Sequence, residues 1–166
     1  MKEDKLWNRL KYFEVGDPSA DFNYIDRLAR ENNWTVEFSV RVFEEYKKFI
    51  FLICISNHPL TPSDQVDQAW HLHLLYTESY WDEMCKDLLG VNIHHGPTKG
   101  GNEEKVKYNN WYEKTKELYY QVFDQKPPAD IWPPSKVRFG QINFVRVNTH
   151  TNWIINIPAV FRKWKH

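Results

Sequence analysis

Four of the seven histidines fall between residues 71 and 95: His71 and His73 in the run AWHLHLLY, and His94 and His95 in IHHGPTKGG. Imidazoles gathered this way serve as metal ligands or as acid–base groups near neutral pH. If the first run is helical, Asp64, Asp67, His71 and Glu78 lie within roughly 40–60° of one another on a single ridge. On the same winding His71 and His73 point about 200° apart, so one ion can take one of them and not both. An Asp and a His four residues apart can share a metal, or the carboxylate can fix the imidazole tautomer from behind. With His94 and His95 returning in the next loop, the expected ligand set is Asp67, His71, His94 and His95. Zinc is the favoured divalent metal for such donors, and a two-His, one-carboxylate set also suits iron or manganese. Glu78 and His73 are the residues expected to move protons in a catalytic step. His73, which points to the side of Trp70, Tyr76 and Tyr80, reads equally as a hydrogen-bonded core histidine.

A second candidate is the loop Gly96-Pro97-Thr98-Lys99-Gly100-Gly101. It leads into a helix near Asn102, where Lys99 and the backbone N–H groups of Gly100 and Gly101 would hold an anion. It is not a Walker A loop, because the lysine precedes the glycines and no Ser or Thr follows it. Neither cysteine has a histidine nearby in sequence, no G-x-S-x-G occurs, and no G-x-G-x-x-G follows a strand pattern. These absences argue against nucleophilic hydrolases and dinucleotide enzymes.

The elements that must position these residues follow from periodicity and punctuation. A helical pattern through Phe22, Ile25, Leu28 and Ala29 stops at Glu31-Asn32-Asn33. A longer one starts near Thr35 with apolar residues at Phe43, Tyr46, Phe49, Ile50 and Ile53, the spacing of a buried face. Thr61-Pro62-Ser63-Asp64 supplies a capping hydroxyl, a proline and a carboxylate, so a helix is expected from there to Gly90 with a break near Thr77-Glu78-Ser79. After the loop over 91–101, another helix runs from Asn102 to about Gln125 with an aromatic face of Tyr108, Trp111, Tyr112, Tyr119 and Phe123. Pro127-Pro128 and Pro133-Pro134 predict a stiff extended connector around Asp130-Ile131-Trp132. Beyond Lys136 the period shifts toward two, with Asn148 to Asn152 between apolar runs, which predicts a hairpin. The expected fold is mainly α: a bundle of four to five helices with a small C-terminal β-hairpin. Residues 1–135 would form the helical domain carrying the His/Asp motif, and residues 136–166 a basic hairpin and tail packed on it.

The chain has 166 residues, 42% of them hydrophobic, with 8 Trp, 9 Tyr and 10 Phe, and a mean hydropathy of −0.69. That composition excludes disorder and an integral membrane protein and leaves one aromatic-rich globular domain. The start MKEDKLWNRLKYFEV lacks an apolar stretch, and the longest apolar run, Phe49 to Ile55, covers about a third of a bilayer span, so no signal peptide or spanning helix is expected. Two cysteines, Cys54 and Cys85, within apolar or helical stretches favour a reducing, cytoplasmic setting. Charge sums to zero but is divided unevenly. No acid follows Asp130, while Lys136, Arg138, Arg146, Arg162, Lys163 and Lys165 do, so the last 36 residues carry +6 and the remainder −6. Any attraction to nucleic acid or an anionic membrane surface therefore belongs to the C-terminal segment.

The run Val66-Asp67-Gln68-Ala69-Trp70-His71-Leu72-His73, then Tyr80, then His94-His95-Gly96-Pro97-Thr98-Lys99-Gly100-Gly101, resembles the glycine-rich-domain-containing-protein-like family of plants, fungi and bacteria, with its V-D-x-x-W-H-x-H signature. The resemblance covers about Tyr24 to Pro134. It carries over Asp67, Trp70, His71, His73 and Tyr80 as motif positions and implies a domain whose activity the family does not define, with RNA binding suggested for some plant members. This chain departs from the plant pattern in having no glycine-rich tail, with only 6 Gly in 166 residues. Two functions are therefore expected from the residues and the resemblance together. The first is a divalent-metal-binding helical domain acting as a metal-dependent hydrolase on a small-molecule or peptide ligand. The second is a non-catalytic protein- or RNA-interaction module whose histidines are structural.

Overall fold

The computed structural model describes residues 2–96, 102–140 and Trp153. Among them are seven helical elements and no strand: α1 (Lys2–Leu10), α2 (Tyr24–Asn32), α3 (Val36–Ile55), α4 (Asp64–Leu74), a π-helical segment (Ser79–Leu89), α5 (Asn102–Phe123) and α6 (Ser135–Arg138). The expected mainly α architecture is present, with more pieces than four to five. The predicted hairpin falls outside the described residues, as do all but the first five residues of the basic segment and Trp153.

The centre is α3, which packs against α1, α2, α4 and α5. Its start needs no tertiary help, because the Thr35 hydroxyl accepts from the Phe38 N–H at 3.2 Å, satisfying one of the donors every helix leaves open. Val42, Phe43, Tyr46, Phe49, Ile50, Phe51 and Leu52 are all buried. Upstream, α2 is closed at both ends. Asn23 and Asp26 form a reciprocal capping box, and Asn33 ends the helix in the left-handed region at φ 55, where Asn is the best tolerated residue after Gly. Phe22, assigned by periodicity to the helix face, lies just ahead of α2, is 45% exposed and sits under the Arg30 guanidinium.

Two stretches differ from expectation. The entry segment is helical: in α1 Leu6, Trp7 and Leu10 share a face, and Trp7 packs on Phe51 and Phe123 with ring centroids 5.5 and 5.4 Å apart. Nine residues make a marginal helix alone, so this one is held by the core and by Arg9, whose guanidinium donates to the Asp87 and Leu88 carbonyls at the end of the π-helical segment. The proline-rich connector is a turn and not an extended rod. The Ile131 and Trp132 N–H groups both donate to the Pro128 carbonyl, and both side chains are buried. Burying those two apolar side chains outweighs the stiffness of the flanking prolines.

Burial of the Trp132 indole requires an acceptor, and it is Glu45, itself 4% exposed. Oε2 accepts from Trp132 Nε1 at 2.9 Å, and Oε1 accepts from Lys48 Nζ at 2.8 Å and from the Tyr119 hydroxyl at 3.0 Å. One carboxylate thus ties α3 to α5 and to the connector with its charge paired.

His73 lies in the core beneath α3, with no exposed surface. Its Nδ1 is hydrogen-bonded to the Tyr46 hydroxyl at 2.9 Å and its Nε2 to the Ser79 hydroxyl at 3.4 Å. Burial pushes its pKa down from 6.5 to about 3, so the folded protein holds it neutral. The unfolded chain takes up this proton near pH 6.5, and the native state takes it up only near pH 3. Protons therefore favour unfolding throughout that window, and stability falls as pH drops, with a contribution from this residue of up to about 1.4 kcal/mol per pH unit. Denaturation midpoints measured from pH 7.5 to 4 should decline less steeply in His73→Gln than in the wild type, whatever the stability of the variant at neutral pH.

Candidate metal centre

The ridge of α4 is set by where the helix begins. Ser63, not Thr61, caps it: the Ser63 hydroxyl accepts from the Val66 N–H at 3.2 Å. Thr61 lies two residues before that cap, and its backbone N–H donates to the Thr115 hydroxyl of α5 at 3.0 Å. Both residues carry a hydroxyl, and α4 begins after the second of them. With α4 starting at Asp64, Asp67 and His71 stand one turn apart, with His71 Nε2 4.0 Å from Asp67 Oδ1. His71 is half exposed at the surface while His73 is fully buried, the divergence that helical winding requires.

The helix breaks after Leu74, close to where it was expected, and resumes as the π-helical segment. In this winding each N–H reaches five residues back, so residues four and five apart share a face. Tyr80, Met84 and Cys85 are accordingly buried together and Leu89 is half-buried beside them. Gly90 closes the segment at φ 70, a conformation that favours glycine.

The chain then returns to α4. The Tyr80 hydroxyl accepts from Trp70 Nε1 at 2.9 Å and donates to the Ile93 carbonyl at 2.6 Å. These two bonds fix the loop two residues before His95. His95 Nε2 lies 2.8 Å from Asp67 Oδ1, its ring centroid is 4.4 Å from that of His71, and Trp70 packs edge-on against it at 4.6 Å. One ligand atom from each of Asp67, His71 and His95 falls within 4.8 Å of the others. A tetrahedral ion with bonds of about 2.0–2.2 Å needs donors roughly 3.3–3.6 Å apart. The 2.8 and 4.0 Å separations straddle that value, so small side-chain rotations would suit the trio to an ion.

The other anticipated residues lie elsewhere. His94 is exposed against Trp81, ring centroids 5.4 Å apart, and takes no part in the trio, because neighbouring side chains of the loop diverge to opposite sides. His73 is held in the core, and Glu78 is exposed at the break between the two helical segments. Lys99, Gly100 and Gly101 lie outside the described residues.

One participant was not anticipated at this site. α6 lays Arg138 along the ridge, where Nε donates to the Pro62 carbonyl at 3.2 Å, Nη1 lies 3.7 Å from Asp64 Oδ1 and Nη2 lies 3.8 Å from Asp67 Oδ2. Burial raises the Asp64 carboxyl pKa, and the Arg138 charge opposes that rise. The signal for this contact was the uneven charge itself, since an acidic ridge in a −6 body invites a cation from the +6 segment.

The family model described as UCP032817-like matches residues 23–117, more than half of the chain. The chain belongs to the UCP032817-like family. The matched span includes every member of the trio and ends before Arg138. Among curated proteins the chain is similar to glycine-rich domain-containing protein 1 of Arabidopsis thaliana, with 25% identity over 127 residues. That alignment covers 74% of this chain and 15% of the plant protein. The chain therefore spans a small part of that relative's length, and the resemblance to glycine-rich domain-containing proteins is borne out. No solved structure matches the chain.

Tyr80 is the testable joint of this arrangement. Tyr80→Phe would leave the Trp70 indole N–H and the Ile93 carbonyl without partners, a loss of about 1–3 kcal/mol. Urea titration should register that loss, and amide hydrogen exchange at Ile93 to His95 should accelerate relative to exchange in α3.

Proposed function

We propose that this chain is a divalent-metal-binding helical domain whose ligands are Asp67, His71 and His95, with zinc the first choice of metal. The observation that carries this reading is the convergence of the three ligand atoms within 4.8 Å, two from successive turns of α4 and one from a loop tied down by Tyr80. Two imidazoles and one carboxylate leave a coordination position open, as catalytic zinc sites do, and the same donor set serves Fe(II) and Mn(II). A metal held in this way lowers the pKa of bound water and supports hydrolysis. The chain's own residues hold the ion and, through Trp70, give it an apolar wall.

The 2.8 Å bond between Asp67 and His95 also stands without an ion, which favours a second reading: a structural clasp in a non-catalytic interaction module. The two separate experimentally. On the metal reading, untagged protein carries stoichiometric metal by elemental analysis, its melting temperature rises with added zinc and falls with chelator, and His71→Ala and His95→Ala abolish both responses. Zinc at a hundredfold excess over its Kd should add about 2.7 kcal/mol of stability. Because ligating imidazoles must be neutral, that gain should shrink as pH is lowered. If neither zinc, iron nor manganese changes the melting curve while His95→Ala still lowers it, the clasp is correct and the metal reading fails.

A further inference from the structure

Arg138 stands on the other side of the same carboxylate. Asp67 turns Oδ1 toward His95 and His71 and Oδ2 toward the Arg138 guanidinium. At 3.7 and 3.8 Å the two terminal nitrogens lie beyond hydrogen-bond distance of Asp64 and Asp67. Among the described residues only Nε makes a hydrogen bond, to Pro62. A guanidinium has five N–H donors in a flat fork suited to oxyanions. This one is largely covered, its side chain 18% exposed, with Nη1 and Nη2 in ion-pair range of Asp64 and Asp67 but making no hydrogen bond among the described residues, beside the place an ion would occupy.

We propose that the ligand of this site is an oxyanion, a phosphoryl or carboxylate group, with one oxygen on the metal and another on Arg138. The proposal rests on the metal reading above. The local charges give it a definite order. Asp64 and Asp67 against Arg138 leave the site at −1 without an ion, which repels an anion, while a divalent ion brings it to +1. Metal must therefore bind first, and the anion follows. The coupling is reciprocal, so the anion tightens the metal by the same factor. Arg138 repels the metal and attracts the anion, and its removal should move the two affinities in opposite directions.

Cobalt(II) is the probe, because its visible bands report metal binding and change when a further ligand coordinates. Inorganic phosphate, and separately acetate, is titrated into cobalt-loaded and metal-free protein. In the wild type, phosphate or acetate should shift the cobalt bands in a saturable way, and calorimetry should find no anion binding to metal-free protein. Arg138→Gln should bind cobalt as tightly or a few-fold more tightly and bind the anion at least tenfold more weakly. Arg138→Lys, which keeps the charge and loses the fork, should retain the wild-type melting curve and fall between the two, and it carries the test if Arg138→Gln fails to fold. Normal cobalt binding with anion affinity unchanged in both variants would overturn the role of Arg138. Anion binding of equal strength to metal-free protein would overturn the order. Absence of cobalt bands in the wild type would instead overturn the metal reading itself.

Discussion

The Trp70 indole is buried with an N–H that must find an acceptor, since leaving such a donor unpaired costs about as much as a core cavity. The Tyr80 hydroxyl supplies that acceptor and in turn donates a hydrogen bond to the Ile93 carbonyl. From this chain of two bonds follow the approach of the π-helical segment to α4, the path of the loop over 91–96, and the side on which His95 meets Asp67. Motif positions that look scattered along the sequence, Trp70 and Tyr80 in particular, are mechanical parts of one joint. They bear no ligand atoms, yet they decide where ligand atoms fall.

Electrostatics divides the molecule in a similar way. Glu45 and Lys48 are paired in the interior with Tyr119 and Trp132, where nearly every lone pair is used and the contact fastens the helices. At the α4 ridge the pairing is deliberately loose in geometry: Arg138 sits near two carboxylates without closing on either. The first arrangement contributes rigidity. The second leaves donors and acceptors open to a third party, which is what separates a binding site from a strut.

Much of this was legible in the residues. The helix start near Thr35, the apolar face of α3 and the opposite directions of His71 and His73 follow from local chemistry and helical period, and the structure repeats them. Asp67 and His71 as neighbours follow from the same period. What local chemistry does not contain is long-range choice. Thr61 and Ser63 both carry a capping hydroxyl, and only the fold shows that α4 begins after Ser63. His94 and His95 are equal as ligands until Tyr80 fixes the loop. The burial of Ile131 and Trp132 bends a segment whose prolines suggest a rod. The segment up to Gly90, expected as ordinary helix, is π-helical, because the spacing of four and five among Tyr80, Met84, Cys85 and Leu89 fits the wider turn. Arg138 reaches the ridge from 71 positions beyond Asp67: the uneven charge points to a cation from the C-terminal segment at an acidic ridge, but not to which one.

The bond from Asp67 to His95 joins residues 28 positions apart, and with it the chain from α4 through the π-helical segment closes into a ring. While that bond holds, the residues between its ends have fewer conformations open to them, a loop-closure effect added to the packing that holds them in the core. The ring is itself tied to the rest of the fold, through the Tyr24 hydroxyl of α2 on the Ala69 carbonyl and the Tyr46 hydroxyl of α3 on His73. Proteolytic nicking within it, at the exposed stretch around Leu75 to Glu78, would disconnect Asp67 and His71 from His95 at a single cut. The geometry of the polar trio is in this sense a property of the fold's local equilibrium as much as of the three side chains.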